Sequence, residues 1–67
     1  MKIKTVTQRQ LDIAIELSKG ESIKSAARNL GISYIVAVNR LRNAREKFKL
    51  QTTYQLVIHL AQLGLLN

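Results

Sequence analysis

The chain predicts an all-α fold, four short helices packed as one domain over residues 1–67, and three features carry that expectation. There is no proline, and the three glycines stand at 20, 31 and 64, dividing the chain into helix-length pieces. Glycine is favoured just past a helix end, where the backbone turns to positive φ. Two Thr-x-x-Gln sequences, Thr7 to Gln10 and Thr52 to Gln55, have the form of a capping box. In such a box the hydroxyl takes one orphan amide and the glutamine reaches back to another. Between these marks, apolar residues recur at the three- and four-residue spacing of one helix face.

Each helix follows from these marks. Thr7 caps a first helix over residues 8–19, closed by Gly20. Its Leu11, Ile13, Ala14, Ile15 and Leu17 make a wider stripe than one buried surface needs, so Leu11 and Ile15 either pack on the Ile3 to Val6 segment or form a second contact surface. Ser22 caps a short helix over 23–30 that stops at Gly31; Ile23, Ala26, Ala27 and Leu30 share one side, and the alanines admit a close neighbour. Ser33 caps a third helix over 34–48. At roughly 100° per residue, Ala37, Leu41, Ala44 and Phe48 fall in one arc and face the core. The opposite arc holds Ile35, Asn39, Arg42 and Glu46, flanked by Val38 and Lys49. The last helix runs over 53–63, and its Leu56, Val57, Ile58, Leu60, Ala61 and Leu63 exceed what one buried face requires. Residues 1–6 form an N-terminal arm.

Composition narrows the classes. A chain of this size buries only about 60% of the surface its unfolded form exposes. With no cysteine and a single histidine, His59, it has neither a cystine framework nor a zinc finger to help it, so folding rests on helix packing and on association. Apolar runs such as Ile35 to Val38 are too short to span a bilayer. Lys2 and Lys4 precede no apolar stretch of signal-peptide type. The expectation is a soluble, cytoplasmic protein without a membrane partner. Met1-Lys2-Ile3-Lys4 reads as a native start, the other possibility being the C-terminal domain of a larger regulator.

Eleven Lys and Arg against four Asp and Glu leave a net charge of +7, and a basic domain of this size is drawn to polyanions. Within residues 40–49, Arg40, Arg42, Arg45, Lys47 and Lys49 face Glu46 alone. The plainer reading of such a run is a solvated helix face. Context points further. A short helix, a tight glycine-containing turn and a longer basic helix over residues 22–48 make a helix-turn-helix, whose second member enters the major groove of double-stranded DNA.

These residues resemble the LuxR/GerE-type helix-turn-helix domain of bacterial transcription regulators, over residues 6–66. The family's opening Leu-Thr-x-Arg-Glu is similar to Val6-Thr7-Gln8-Arg9-Gln10. Its GxSxKEIAxxLxIS block resembles Gly20-Glu21-Ser22-Ile23-Lys24-Ser25-Ala26-Ala27-Arg28-Asn29-Leu30-Gly31-Ile32-Ser33, and its closing Gly-Leu resembles Gly64-Leu65. The chain departs from the pattern at Gln10 and Ser25, where the family has Glu, and at Lys49, where glycine is common. Val38 stands where the family has lysine in a Thr-Val-Lys-x-His stretch, here Val36-Ala37-Val38-Asn39-Arg40.

The resemblance implies base contacts at positions 38, 39 and 42. Helical periodicity independently turns Asn39 and Arg42 outward. Asn suits the N6 and N7 edge of adenine, and Arg forks onto O6 and N7 of guanine; either equally suits a phosphate. Val38 and Ile35 either meet thymine methyls or are half-buried helix residues. The resemblance places Lys24 and Ser33 near the phosphate backbone, and Arg40, Arg45, Lys47 and Lys49 read as phosphate contacts that position without specifying sequence. It further implies a homodimer through the last helix, with Tyr54, Val57, Leu60 and Leu63 as anchors; the alternative is that Leu56, Leu60 and Leu63 close the monomer core.

No arrangement points to catalysis, a metal or a cofactor. Asp12 and Glu16 share a helix face without a convergent base, and Ser22, Ser25 and Ser33 have no histidine partner. His59 reads as a packed or surface residue. The expected function is a stand-alone, sequence-specific DNA-binding regulator, dimeric on an operator of two half-sites in the bacterial nucleoid. The rival is a protein-interaction module in which Tyr34, Val36 and Val38 no longer read DNA, and the last helix pairs with a full-length relative. Basic amphipathic attachment to a membrane is disfavoured by the core face of the basic helix.

Overall fold

Where the helices begin and end determines this fold. A computed structural model describes residues 6–66. It contains α1 (Gln8–Ser18), α2 (Ile23–Leu30), α3 (Tyr34–Lys47) and α4 (Thr53–Gln62), with no strand among the described residues. The expected helices are all present, and three of them end one residue early, because Lys19, Phe48 and Leu63 stand at the C-caps. The arm is described only from Val6, so its Ile3 contacts lie outside the described residues.

Each helix opens on a hydroxyl. The Gln10 amide donates to Thr7 Oγ1 at 3.1 Å, and the Thr7 amide donates to Gln10 Oε1 at 2.9 Å. Thr52 and Gln55 repeat the box, at 3.0 Å from the Gln55 amide and 3.2 Å from the Thr52 amide. Ser22 and Ser33 each take the amide three residues on, from Ser25 at 3.0 Å and Val36 at 3.1 Å. Removing such a cap costs about 1 kcal/mol.

The helices also end alike. After α2 the Ile32 amide donates to the Ala27 carbonyl at 3.0 Å and the Gly31 amide to Arg28 at 3.2 Å, with Gly31 at φ 72°. This is the Schellman arrangement, which needs a left-handed residue. The same pair of bonds closes α3, from Leu50 to Arg45 at 2.9 Å and from Lys49 to Glu46 at 3.2 Å. There the left-handed position, φ 57°, is held by Lys49, the one non-glycine residue with positive φ among those described.

The core lies where α1, α2 and α3 meet one another and α4 closes over α1 and α3. Ile13, Ala14, Ala26, Ala27, Ala37, Leu41, Ala44, Leu56 and Leu60 are buried, with Phe48, Leu50 and Leu66 among the half-buried residues packed on them. Leu11 belongs to that half-buried shell, as does Val6, whereas Ile15 is half-buried at its margin. His59 lies against Phe48, ring centres 4.5 Å apart and tilted by 56°. Among the described residues no helix is long and apolar enough to cross a membrane.

A left-handed conformation costs a residue with a side chain roughly 1–2 kcal/mol, and glycine gives part of that back through a freer unfolded chain. Lys49→Gly is therefore expected to stabilise the fold by about 0.5–1 kcal/mol, read as a higher thermal midpoint. An unchanged or lower midpoint would contradict this account of the α3 end.

Candidate nucleic-acid interface

The core decides which sides of α2 and α3 are left exposed. Ala37, Leu41 and Ala44 turn inward, so helical periodicity turns Ile35, Asn39, Arg42 and Asn43 out, and all four are exposed. On α2, buried Ala26 and Ala27 leave Lys24 and Arg28, one turn apart, exposed on the other side.

Asn39 and Arg42 meet. Arg42 Nη2 donates to Asn39 Oδ1 at 2.7 Å. The bond leaves the Asn39 amide nitrogen and the other guanidinium nitrogens to donate elsewhere, with neither side chain engaged by the core. Ile35 lies one turn before Asn39 and is 65% exposed. Val38, by contrast, is half-buried. Lys24 lines a shallow depression with Ser22, Ile23 and Tyr34, so the start of α2 and the start of α3 share one surface. Ser33 Oγ caps α3 at the rim of that surface.

The basic residues divide into two groups. Lys24, Arg42 and Lys49 are exposed. Arg40 is half-buried on the α1 flank, lining a second depression with Arg9, Asp12, Leu30 and Ile32. Arg45 and Lys47 sit where the fold uses them. Arg45 Nη1 donates to the Gln51 carbonyl at 2.7 Å, latching the α3–α4 connection, and its Nε is buried without a partner. Lys47 Nζ donates to Gln10 Oε1 at 3.1 Å, tying α3 to the capping box of α1. Neither lies on the outer face, because their positions on α3 flank its core arc. Both side chains thus have a partner within the fold, the Gln51 carbonyl for Arg45 and Gln10 for Lys47. Among the described residues one ion pair forms, Lys19 with Glu16 at 3.8 Å, away from this face.

The last helix needs one correction. Leu60 is 0% exposed, as is Leu56, so Leu60 belongs to the monomer core and is no anchor for a partner. Tyr54 at 75% and Leu63 at 53% are exposed, and Val57 is half-buried. The exposed apolar surface of α4 and its tail also includes Ile58 and Leu65, which sequence reasoning did not select. The i to i+4 spacing of Tyr54 and Ile58 was the available signal, as was that of Lys24 and Arg28 for the overlooked Arg28. Comparison with protein-family models gives no match, and comparison with curated proteins gives none either.

The two stripes of α4 are separable by experiment. Leu60→Ala is expected to cost about 2–5 kcal/mol of folding stability, whereas Tyr54→Ala stays within about 0.5 kcal/mol, both from denaturant unfolding. A large loss from Tyr54→Ala, or none from Leu60→Ala, would reverse the assignment.

Proposed function

We propose that this chain is a sequence-specific DNA-binding transcription regulator of LuxR/GerE type that acts in the bacterial cytoplasm as a dimer on double-stranded DNA. The observation that carries the reading is the exposed, hydrogen-bonded pair of Asn39 and Arg42 on the outer side of α3, with Lys24 and Arg28 exposed on α2. An amide and a guanidinium on adjacent turns suit the edges of an adenine and a guanine. Lys24, Arg28, Arg40 and Lys49, with Ser33 and the free amides at the start of α3, suit phosphates. The family resemblance rests on the motif residues of the sequence. Tyr54, Val57, Ile58 and Leu63 are the proposed contact between two copies, which would present two α3 helices to two half-sites.

The rival reading, a module that pairs with a regulator and does not read DNA, is favoured by one observation: Tyr34, Ile35 and Val36 expose apolar surface at the start of α3. Arg42 distinguishes the two. On the best-bound DNA site, Arg42→Ala is expected to weaken binding by about 1–3 kcal/mol and relax preference at one base pair, measured by anisotropy titration at fixed salt. Lys24→Ala is expected to weaken all sequences alike and lower the salt dependence by about one contact. Unchanged preference after Arg42→Ala would remove it as a base reader.

A further inference from the structure

The first turn of α3 is built differently from the rest of its outer face. Tyr34, Ile35 and Val36 are 52%, 65% and 37% exposed. The core does not call for them, since α3 contributes Ala37, Leu41 and Ala44 to it. The following turns expose Asn39, Arg42, Asn43 and, at the far end, Glu46 instead. Ile35 lies on the outer arc with Asn39 and Arg42, while Tyr34 and Val36 stand about 100° to either side of it, so the leading end of that face is apolar and the rest polar.

Charge complementarity selects the occupant. Lys24 borders the apolar turn across the depression it shares with Tyr34, and Arg42 lies on the same outer face two turns on. An apolar patch with a cationic surround fits a polyanion that itself offers something apolar. The major groove of DNA offers one such protruding group, the C5-methyl of thymine; the exposed nitrogen and oxygen atoms of the bases are hydrogen-bond donors and acceptors that an aliphatic side chain would leave unpaired. The neighbouring Asn39 amide suits the adenine of such an A·T pair.

We propose that the first turn of α3, with Ile35 at its centre and Val36 and Tyr34 beside it, reads thymine methyl groups, so that each half-site requires thymine at the base pairs met by this turn. The inference rests on the reading of α3 as the groove-entering helix. It adds a specificity element and assigns a use to the surface that otherwise favours the rival.

The test uses the intact chain and the DNA site recovered by library selection. Each thymine is replaced in turn by 2′-deoxyuridine, which keeps the base pair and removes only the methyl. One or two replacements per half-site are expected to weaken binding about three- to fivefold each, the scale of one buried methyl. Ile35→Ala is expected to bind the thymine site more weakly and to lose its sensitivity to deoxyuridine there. Because Ile35 is largely exposed, the variant keeps the core, which helical circular dichroism verifies. If a selective site is found and no deoxyuridine replacement weakens binding, or if no thymine occurs in the site, methyl reading is overturned while DNA recognition stands. If the protein selects no DNA sequence, both readings fall. A protein partner whose binding is lost in Ile35→Ala would then identify the patch as a protein contact.

Discussion

Close contact between helices through alanine organises this small molecule. Five of the nine buried apolar residues among those described are Ala14, Ala26, Ala27, Ala37 and Ala44, so the contacts of α1, α2 and α3 are built largely from small side chains. The distance between packed helices is set by the residues at the contact. With alanine there, the α2–α3 angle follows from backbone surfaces and from the turn at Gly31, and leaves little room for rearrangement. Only Ile13, Leu41, Leu56 and Leu60 fill the core as large, fully buried side chains, and two of those four come from α4. The last helix is thus a necessary part of the fold, and only its other stripe remains for a partner.

The same geometry decides what the outer side of α3 is free to do. Its inner arc is taken up by Ala37, Leu41 and Ala44, and its flanks by Arg45 and Lys47, which bond to Gln51 and Gln10. That division leaves Asn39 and Arg42 with no packing duty. The total charge of the chain overstates the charge available to a polyanion. On α2, α3 and the turn after α3, the exposed basic residues are Lys24, Arg28, Arg42 and Lys49.

The helices were legible in the sequence because hydroxyl caps and glycines act locally; the capping boxes of Thr7 and Thr52 needed no knowledge of tertiary contacts. Asn39 and Arg42 were legible as outward-facing residues because α3 has a clear apolar arc. Arg45 and Lys47 were not, since long side chains reach partners whose positions depend on the packed fold: a loop carbonyl at Gln51 and the buried Gln10. On α4 the obstacle was different. Leu56, Val57, Ile58, Leu60 and Leu63 cover so much of its circumference that periodicity alone does not say which stripe faces inward. Packing on α1 and α3 chose Leu56 and Leu60 and turned Ile58 out. The left-handed Lys49 was marked only by standing where the LuxR/GerE pattern it resembles commonly has glycine.

The central claim, that the outer face of α3 reads DNA sequence, is tested most directly by selecting from a random DNA library with the purified protein at two salt concentrations. The account predicts an enriched motif with two related half-sites that persists at the higher salt while overall affinity falls. Binding that enriches no motif at either concentration and collapses with salt would contradict it, and would reduce the basic face to general attraction for phosphate.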